Sequence, residues 1–337
     1  MNHPRGVHHA RHATAPPPLA GLLGVACLPS TGIAQAPGWP DRPVRLIVPF
    51  PPGGGTDALA RILAPGLSRI WGQPLVVDNR AGAQGNIGTQ LAVKSPPDGY
   101  TLVFAHQGVL TVNAHLYAQI GFDPLKDMAP VTLATVQPFL LVAHPSVPAQ
   151  NLAELTALAK REPGKLTFAS SASGPQMAGE LYKSSTGISM LHVAYKGAGP
   201  AVVDVLAGTV NLMVANPTSV APHVKSGKLR GIVVFGNERV DILPDVPTAA
   251  EAGYPDLGRN PEWYGIGVPA GTPPAVVQKL QHDIATVLDS DEAQKAIRGL
   301  GLIPTSSTPE AFARRIRVDY EVWGRVVKIS GAKPEGS

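Results

Sequence analysis

The sequence predicts an α/β fold with mainly parallel strands and with helices on both faces of the sheet. Short apolar runs alternate with helical patterns from Arg42 to about Phe139, and a second block of the same kind runs from about Leu140 to Asn260. Glycine or small polar residues repeatedly stand where a strand passes into a helix. This alternation is typical of strand–helix–strand units, in which ligands bind beyond the carboxyl ends of the strands.

The first strand and the glycine-rich turn after it organise the chain. An uninterrupted apolar run at 46–48 predicts a strand over 44–48 that is covered on both faces. Gly53–Gly55 follow, and Thr56 or Asp57 is a good N-cap for a helix predicted over 57–70. Free backbone N–H groups at such a helix start attract a carboxylate or a phosphate. We therefore favour an anion site here over the alternative, a tight turn whose glycines serve geometry alone.

The remainder of the first block repeats this device. Strands are predicted over 74–77 and 101–105, with a helix over 86–94 between them. The loop 79–88 before that helix is again rich in glycine. Neither glycine loop has the spacing of a dinucleotide fingerprint followed by an acid, and no lysine follows Gly53–Gly55 as a P-loop requires. Nucleotide phosphate binding is therefore not indicated.

The second block opens with a capping box, Asn151 with Glu154, on a helix that closes at Gly164. Three strands and three helices are then predicted in alternation, with the strands over 166–170, 190–194 and 210–215 and the helices around 177–183, over 200–207 and from 216–219. Small, polar or glycine residues lie between the end of each of these three strands and the N-terminus of the helix that follows it. We expect these loops to face a ligand.

The last part of the chain is predicted to pack with the elements of the first block, as part of the same domain. It contains a strand over 264–268, a helix over 273–289 and a final helix from Pro309. Apolar residues recur at helical spacing in that last helix, and such a stripe packs into a core more often than it binds a ligand. The stripe comprises Phe312, Ile316, Tyr320, Trp323 and Val327.

Residues 1–36 resemble a secretory signal peptide. The stretch begins with basic residues and no acid, continues with an apolar run at 19–28, and ends in small residues that predict cleavage after Ala34 or Ala36. The only cysteine, Cys27, lies inside this leader, so the mature chain has no disulfide and no thiol nucleophile. Lipid attachment at Cys27 is the weaker alternative. No later apolar run reaches the ~20 residues of a membrane span.

The composition limits the kinds of partner that the protein is expected to bind. The 337-residue chain has 44% apolar and 15% charged residues, which is ordinary for a globular protein of two domains. Its net charge of +4 falls to +2 without the leader, because 26 basic residues then face 24 acidic ones. Basic residues form no patch interleaved with aromatic residues, so no nucleic-acid partner is expected. No pattern of metal ligands or of a bound cofactor is found either.

An ordered set of motifs carries a resemblance to a known family. The set begins with WPDRPV at 39–44 and VPFPPGGGTD at 48–57, and continues with NRAGAQGNIG at 79–88 and PDGYT at 97–101. It ends with YKG at 195–197, LPDVPT at 243–248 and PAGTP at 269–273. In this order the motifs resemble the Bug-type receptors, the extracytoplasmic solute-binding proteins of tripartite tricarboxylate transporters. Nearly everything after Gly38 is covered.

The resemblance implies a type II periplasmic-binding-protein fold, in which two α/β lobes joined by a hinge close over a ligand cleft. Domain 1 would comprise residues 37–139 and 264–337, and domain 2 residues 140–263. The family also implies a monomeric periplasmic protein that captures a small carboxylate solute and delivers it to membrane subunits of the transporter. Carboxylates in such receptors are held by backbone amides and waters of the first loop, with loops of the second domain closing on the other end.

Loop residues at the strand ends are the candidate ligand contacts. We expect Gly54, Gly55 and Thr56 to hold one carboxylate, with Asp57 as helix cap and water holder. The full set of candidates is Phe50, Gly54, Gly55, Thr56, Asp57, Gln84, His106, Gln107, Ser171, Ser173, Tyr195 and Asn216. No arginine is among them, so the set predicts a solute with one carboxylate and a neutral polar or aromatic far end.

Two candidate loops depart from the family pattern. The segment 171–177 is shorter than the usual glycine–serine loop and lacks the histidine often found there, and HQGV at 106–109 stands where the family often has Ser-x-Gly-Thr. Both loops belong to the cleft, so the hypothesis is a solute that is unusual for the family.

The residues do not indicate an enzyme. The sequence contains no Gly-x-Ser-x-Gly elbow, no His-x-x-x-His pair and no acid–base pair at a strand end. His106 has no partner acid in the pattern, and we expect it to be structural or to contact the ligand. His192 lies within a strand and is expected to be structural. Two alternatives stay open: an anion-binding hydrolase or transferase that uses the glycine loop, and a receptor that presents its solute to a membrane sensor.

Overall fold

The computed structural model describes residues 38–258 and 261–332. The predicted signal peptide 1–36, with Cys27, lies outside these ranges. Within the described ranges, no helix combines the length and the apolar character that crossing a membrane requires.

The elements alternate along the chain as the sequence predicts. The strands are β1 (Val44–Val48), β2 (Leu75–Asn79), β3 (Thr101–His106), β4 (Met128–Gln137), β5 (Phe139–Ala143), β6 (Thr167–Ser170), β7 (Leu191–Ala194), β8 (Leu212–Ala215), β9 (Arg230–Phe235), β10 (Glu262–Pro269) and β11 (Ile303–Pro304). The helices are α1 (Gly55–Trp71), α2 (Asn86–Val93), α3 (Asn113–Leu116), α4 (Leu152–Arg161), α5 (Ser173–Thr186), α6 (Ala198–Leu206), α7 (Pro217–Lys225), α8 (Pro274–Leu288), α9 (Asp291–Gly299) and α10 (Pro309–Ser330).

A six-stranded sheet, in the order β11-β4-β10-β3-β1-β2, forms the first lobe. The strand β1 pairs in parallel with β2 and with β3, and β10 runs antiparallel between β3 and β4. Leu46, Ile47 and Val48 are almost fully buried, because helices cover both faces of β1. This burial explains why no polar residue interrupts the run.

A five-stranded sheet, in the order β7-β6-β8-β5-β9, forms the second lobe. The strand β6 pairs in parallel with β7 and β8, whereas β5 runs antiparallel to β8 and β9. The chain passes between the sheets through Pro138, which joins β4 to β5, and again after β9, which leads to β10. The predicted domain limits stay a prediction, but Glu262 and Trp263 pair with β4 in the first sheet.

The predicted elements are present, and the differences lie at their ends. Asn151 caps α4 by accepting a hydrogen bond of 2.9 Å from the Glu154 amide, as the capping box predicts. The helix α1 begins at Gly55 with Gly54 as its N-cap residue, so the predicted N-cap at Thr56 or Asp57 is wrong. The strand β10 begins at Glu262 rather than at 264, because the sheet continues through a charged residue that the apolar pattern excludes.

The last helix packs against the first lobe through its predicted stripe. Phe312, Ile316, Trp323 and Val327 are buried, whereas Tyr320 is only partly buried. Beside the stripe, the buried carboxylate of Asp319 accepts hydrogen bonds from three donors. These are Trp263 Nε1 at 2.6 Å, Gln107 Nε2 at 3.0 Å and Arg315 Nε at 2.7 Å. This network fixes the start of β10, which carries part of the site described next.

Candidate ligand-binding site

A cavity of about 650 Å³ opens between the two lobes. The first lobe contributes the loop after β1, the end of β3 and the start of β10. The second lobe contributes the loops that precede α5, α6 and α7. The polar or aromatic lining residues include Phe50, Thr56, His106, Ser171, Lys196, Asn216, Thr218, Ser219, His223, Glu262 and Tyr264, together with Gly53–Gly55. Residues that are far apart in the sequence therefore meet at one concave surface.

The N-terminus of α1 lies at the wall of this cavity. Gly54 has extended backbone angles and supplies no side-chain cap, while Gly55 and Thr56 form the first turn. The first amides of a helix have no acceptor within the helix, and the positive end of the helix dipole adds to their attraction for an anion. A side chain in place of Gly55 would contact Thr218 Oγ1 at 3.5 Å and Tyr264 Oη at 3.8 Å. The backbone at Gly55 therefore lies close to both lobes.

Asp57 does not line the cavity, although it holds the loop that does. Its Oδ2 accepts the Gly53 amide at 3.0 Å and the Arg61 Nε at 2.9 Å. Burial raises the pKa of Asp57, but the hydrogen bonds from Arg61 and Gly53 outweigh burial and leave the pKa below its ordinary value. Asp57 is thus an ionised clamp on the Gly53 amide rather than the N-cap. The next three residues, Gly54, Gly55 and Thr56, line the cavity.

His106 has an acid partner, and the expectation that it has none is wrong. Its Nε2 lies 3.3 Å from Glu262 Oε1, and both side chains are at least 95% buried. The Gly108 amide donates to His106 Nδ1 at 3.1 Å, so the ring proton is on Nε2 and faces the carboxyl group. Burial lowers the pKa of His106 to about 3, so this histidine is neutral around pH 7.

Glu262 is the most unusual group of the site. Its Oε2 accepts hydrogen bonds from Gln137 Nε2 at 2.6 Å, from Asn216 Nδ2 at 2.7 Å and from the Tyr264 hydroxyl at 3.3 Å. Burial raises the pKa of Glu262 to about 7, although these hydrogen bonds oppose the rise. Asn216 comes from the second lobe, so the carboxyl group connects the two sides of the cavity.

Three rings stand side by side next to this carboxyl group. The ring centroid of Phe50 is 4.7 Å from that of His106, which is 5.1 Å from that of Tyr264. Asn216 Nδ2 also donates to the Tyr264 hydroxyl at 2.8 Å. The aromatic wall and the glycine turn thus border the same space, one apolar and the other rich in N–H donors.

The structure places the candidate residues in three groups. Phe50, Gly54, Gly55, Thr56, His106, Ser171 and Asn216 line the main cavity. Gln84 lines an adjoining cavity of about 590 Å³, which shares Phe50 and Ser171 with the main one. Asp57, Gln107, Ser173 and Tyr195 lie outside both.

The residues outside the cavity have partners of their own. Gln107 donates to Asp319 and to the Pro261 carbonyl, Ser173 donates to Asn113 Oδ1, and Tyr195 donates to Asp204 Oδ2. They do not line the main cavity in this structure, and their contact with a ligand stays a prediction. The position of a residue at a strand end does not by itself predict which other residue its side chain will contact.

Sequence reasoning missed Glu262, Tyr264, Thr218 and His223. Glu262 stands just before the predicted start of its strand, where a charged residue suggests a solvated loop end. The signal available in the sequence was the tripeptide Glu-Trp-Tyr, which places an acid next to two large aromatic residues at 262–264. His192 is structural as expected, because its Nε2 lies 2.7 Å from Ser170 Oγ beside β6.

Metal chemistry finds no support in the described ranges, which contain no cluster of three or more histidine, cysteine or acidic residues able to hold an ion. The His106–Glu262 pair is also poorly suited to proton transfer from a hydroxyl. One ring nitrogen of His106 accepts the Gly108 amide, and the other faces Glu262. A general base needs a free nitrogen within reach of the proton that it removes.

Comparison with known proteins gives consistent matches over nearly the whole chain. The model of the tripartite tricarboxylate transporter family receptor matches residues 59–331. Protein BugT of Bordetella pertussis is 38% identical over 321 residues, which cover 94% of this chain and 98% of BugT.

Solved structures give the same result. Rpa4515 of R. palustris, determined with adipate, is 36% identical with a TM-score of 0.82, and the match covers 88% of this chain and 99% of that one. MatC from Rhodopseudomonas palustris, determined with bound malate, is 30% identical with a TM-score of 0.78, over 86% of this chain and 100% of the other. These matches, with the two mixed sheets, confirm the predicted type II periplasmic-binding-protein fold.

The raised pKa of Glu262 predicts how the stability of the ligand-free protein depends on pH. The contribution of Glu262 to the free energy of unfolding is fully present below its ordinary pKa of 4.5 and is lost as pH rises through about 7. A Glu262→Gln variant does not titrate there. We expect the free energy of unfolding of the variant, minus that of the wild type, to rise by roughly 3 kcal/mol as pH rises from about 4.5 to beyond 7. Urea denaturation measures both free energies.

The matched control is Glu251→Gln, because the pKa of Glu251 is lowered to about 2 by its hydrogen bond from Arg239. Its difference from the wild type should change only as pH falls below 4.5. A constant difference between Glu262→Gln and the wild type from about pH 4.5 to pH 8 would contradict the account of Glu262.

Proposed function

The chain belongs to the tripartite tricarboxylate transporter receptor family, and on this basis we propose that it captures a small carboxylate-bearing metabolite by lobe closure and delivers it to the membrane subunits of such a transporter. Members of the family are periplasmic solute-binding receptors. The observation that carries the proposal is the amide-rich start of α1, which opens into the cavity between the lobes.

The related structures support a carboxylate solute. Adipate and malate, the compounds named with Rpa4515 and MatC, both carry carboxylates. In the present chain, the amides of Gly54, Gly55 and Thr56 would hold one carboxylate group, because Asp57 already occupies the Gly53 amide. The Arg61 guanidinium neutralises the Asp57 carboxylate, so its charge does not repel the bound anion.

The lining favours a solute with one carboxylate and a neutral far end. No arginine lines the main cavity within the described ranges, so no bidentate clamp is ready for a second carboxylate. Apolar lining is supplied by Phe50 and by residues of α6, namely Val202, Val203 and Leu206. Lys196 lies at the rim and is exposed, where its charge is screened by solvent.

Export and partnership follow from the same proposal. Residues 1–36 would direct the chain to the periplasm, where it would work as a monomer. The alternative to transport is that the protein presents its solute to a membrane sensor. An assay of solute uptake by cells that express the protein together with the membrane proteins encoded by neighbouring genes separates the two roles. An enzymatic role is the less favoured alternative, because both nitrogens of His106 are already engaged.

A thermal-shift screen tests the solute class. The panel contains mono-, di- and tricarboxylates, aromatic acids and amides. A ligand at a hundred times its dissociation constant should add about 2.7 kcal/mol to the free energy of unfolding. We expect the largest shifts from compounds with a single carboxylate. Stabilisation only by fully ionised di- or tricarboxylates would overturn the single-carboxylate proposal, and stabilisation by none of the acids would overturn the carboxylate proposal itself.

Gly55→Pro tests the placement of the carboxylate. Gly55 is the first residue of α1, where proline is well tolerated, and Gly54 has φ −87° and ψ 174°, which suit a residue before proline. The substitution therefore removes one N–H donor without breaking the helix. A hydrogen bond to a charged group contributes about 1.5–3 kcal/mol, so calorimetry should show affinity reduced roughly tenfold to a hundredfold.

The control is Gly55→Ala, which keeps the N–H and adds a methyl group at ordinary contact distance, 3.5 Å from Thr218 Oγ1. Equal affinities of the proline and alanine variants for the same acid, with both variants folded, would place the carboxylate elsewhere in the cavity.

A further inference from the structure

We propose that Asn113 is a positioning residue that links closure of the two lobes to the conformation of the loop 82–85. Asn113 holds this loop within the first lobe and is itself held by Ser173 of the second lobe. The inference rests on the proposed lobe closure, but not on the kind of solute. Its test uses the ligand-free protein, so its failure is distinct from a failure of the carboxylate proposal.

Asn113 is fully buried, and both ends of its side-chain amide are hydrogen-bonded. Its Nδ2 donates to the Gln84 carbonyl at 3.1 Å and to Asn86 Oδ1 at 2.7 Å. Its Oδ1 accepts the Ser173 hydroxyl at 2.5 Å. One side chain therefore connects the loop before α2, the start of α2 and the start of α5.

The surroundings of Asn113 fix which end of its amide faces which lobe. The Gln84 carbonyl oxygen is able only to accept a hydrogen bond, so the nitrogen of Asn113 has to face it. The oxygen of Asn113 then faces Ser173. Loss of the Ser173 hydroxyl would take from this buried oxygen the donor that the second lobe supplies, which is costly for a buried polar atom.

The loop that Asn113 holds has an unfavourable backbone conformation. Ala83 and Gln84 have φ angles of 46° and 53°, in the left-handed region that residues with a side chain rarely adopt. Such a conformation persists where neighbouring groups hold it. The hydrogen bond from Asn113 acts on Gln84, one of the two strained residues. The conformation of the loop therefore depends on this contact.

The loop lies at a cavity that both lobes line. Residues 82–85 border the adjoining cavity of about 590 Å³, and Ser171, Lys196 and Gly197 border it from the second lobe. Ser173 begins α5, two residues after Ser171. Movement of the second lobe away from the first would remove the Ser173 hydroxyl from Asn113. Closure thus completes this cavity and supports the strained loop in the same movement.

The turn that carries Asn113 lies at the contact between the lobes. The chain from Gly108 to Val112 forms a π-helical turn, and the Asn113 amide donates to the Gly108 carbonyl. Turns of this kind are frequent at functional sites. A side chain on Gly108 would lie 3.3 Å from the backbone nitrogen of Gly174 in α5. A change in the position of α5 therefore acts directly on the turn.

Hydrogen exchange of three backbone amides reports the state of the loop. The amides of Gly85 and Ile87 donate to the Gly82 carbonyl, and the Asn86 amide donates to the Ala83 carbonyl. Ser173→Ala removes the hydroxyl group at the first residue of α5 and leaves the N-cap residue, Ala172, unchanged. In the ligand-free variant, NMR should show that these three amides exchange about threefold to tenfold faster than in the wild type.

The matched control is Ser184→Ala, which makes the same change at an exposed position of α5, where the hydroxyl donates to the Leu181 carbonyl. The internal reference is the Ala58 amide, which donates to the Gly54 carbonyl in α1. A merely structural role of Ser173 would lower the melting temperature without singling out the loop. Loop exchange that Ser173→Ala accelerates no more than Ser184→Ala does, or no more than it accelerates exchange at Ala58, would overturn the inference.

A double-mutant cycle tests whether the effect passes through Asn113. Asn113→Ala alone should accelerate exchange of the loop amides about tenfold or more, because it removes both bonds to the loop and to α2. In this background, Ser173→Ala should add no further acceleration. Effects that multiply in the double variant would overturn the role of Asn113. If Asn113→Ala does not fold, the comparison of Ser173→Ala with its control decides the inference.

Discussion

The site depends on one interaction, the hydrogen bond from the Gly53 amide to the Asp57 carboxylate. This bond joins the glycine loop to the first turn of α1, and Arg61 balances the charge of Asp57. The N-cap residue of the helix, Gly54, has no side chain and therefore offers no cap. The backbone N–H groups of the first turn therefore have no partner from a cap and are able to bind an anionic ligand.

The second constraint is that both lobes contribute to the hydrogen-bonded polar residues of the cavity. Asn216 stands at the start of α7 in the second lobe, yet its amide donates to Glu262 and Tyr264 of β10 in the first. Separation of the lobes would break these bonds and expose the buried carboxyl group to water. Closure and the electrostatics of the site are therefore coupled, because the pKa of Glu262 is raised by burial that closure helps to produce.

The sequence predicts the fold well because apolar periodicity and glycine placement are local signals. The runs that form β1 and β3 and the stripe on α10 all appear where expected. The site is less predictable, since it depends on which distant side chains meet. Gln107 follows β3 as His106 does, yet it turns to Asp319 on α10, 212 residues away. Glu262 meets His106 only because β10 lies antiparallel to β3, a pairing that no local pattern reveals.

We propose above all that the first amides of α1 bind the carboxylate of a solute. A crystal structure of the protein with a solute bound tests it most directly, through the distances from the carboxylate oxygens to the backbone nitrogens. We predict at least two such distances of about 2.7–3.1 Å, to nitrogens among Gly54, Gly55 and Thr56. A carboxylate held instead by Lys196 or by the loop 82–85, with the α1 amides bonded only to solvent, would contradict the account.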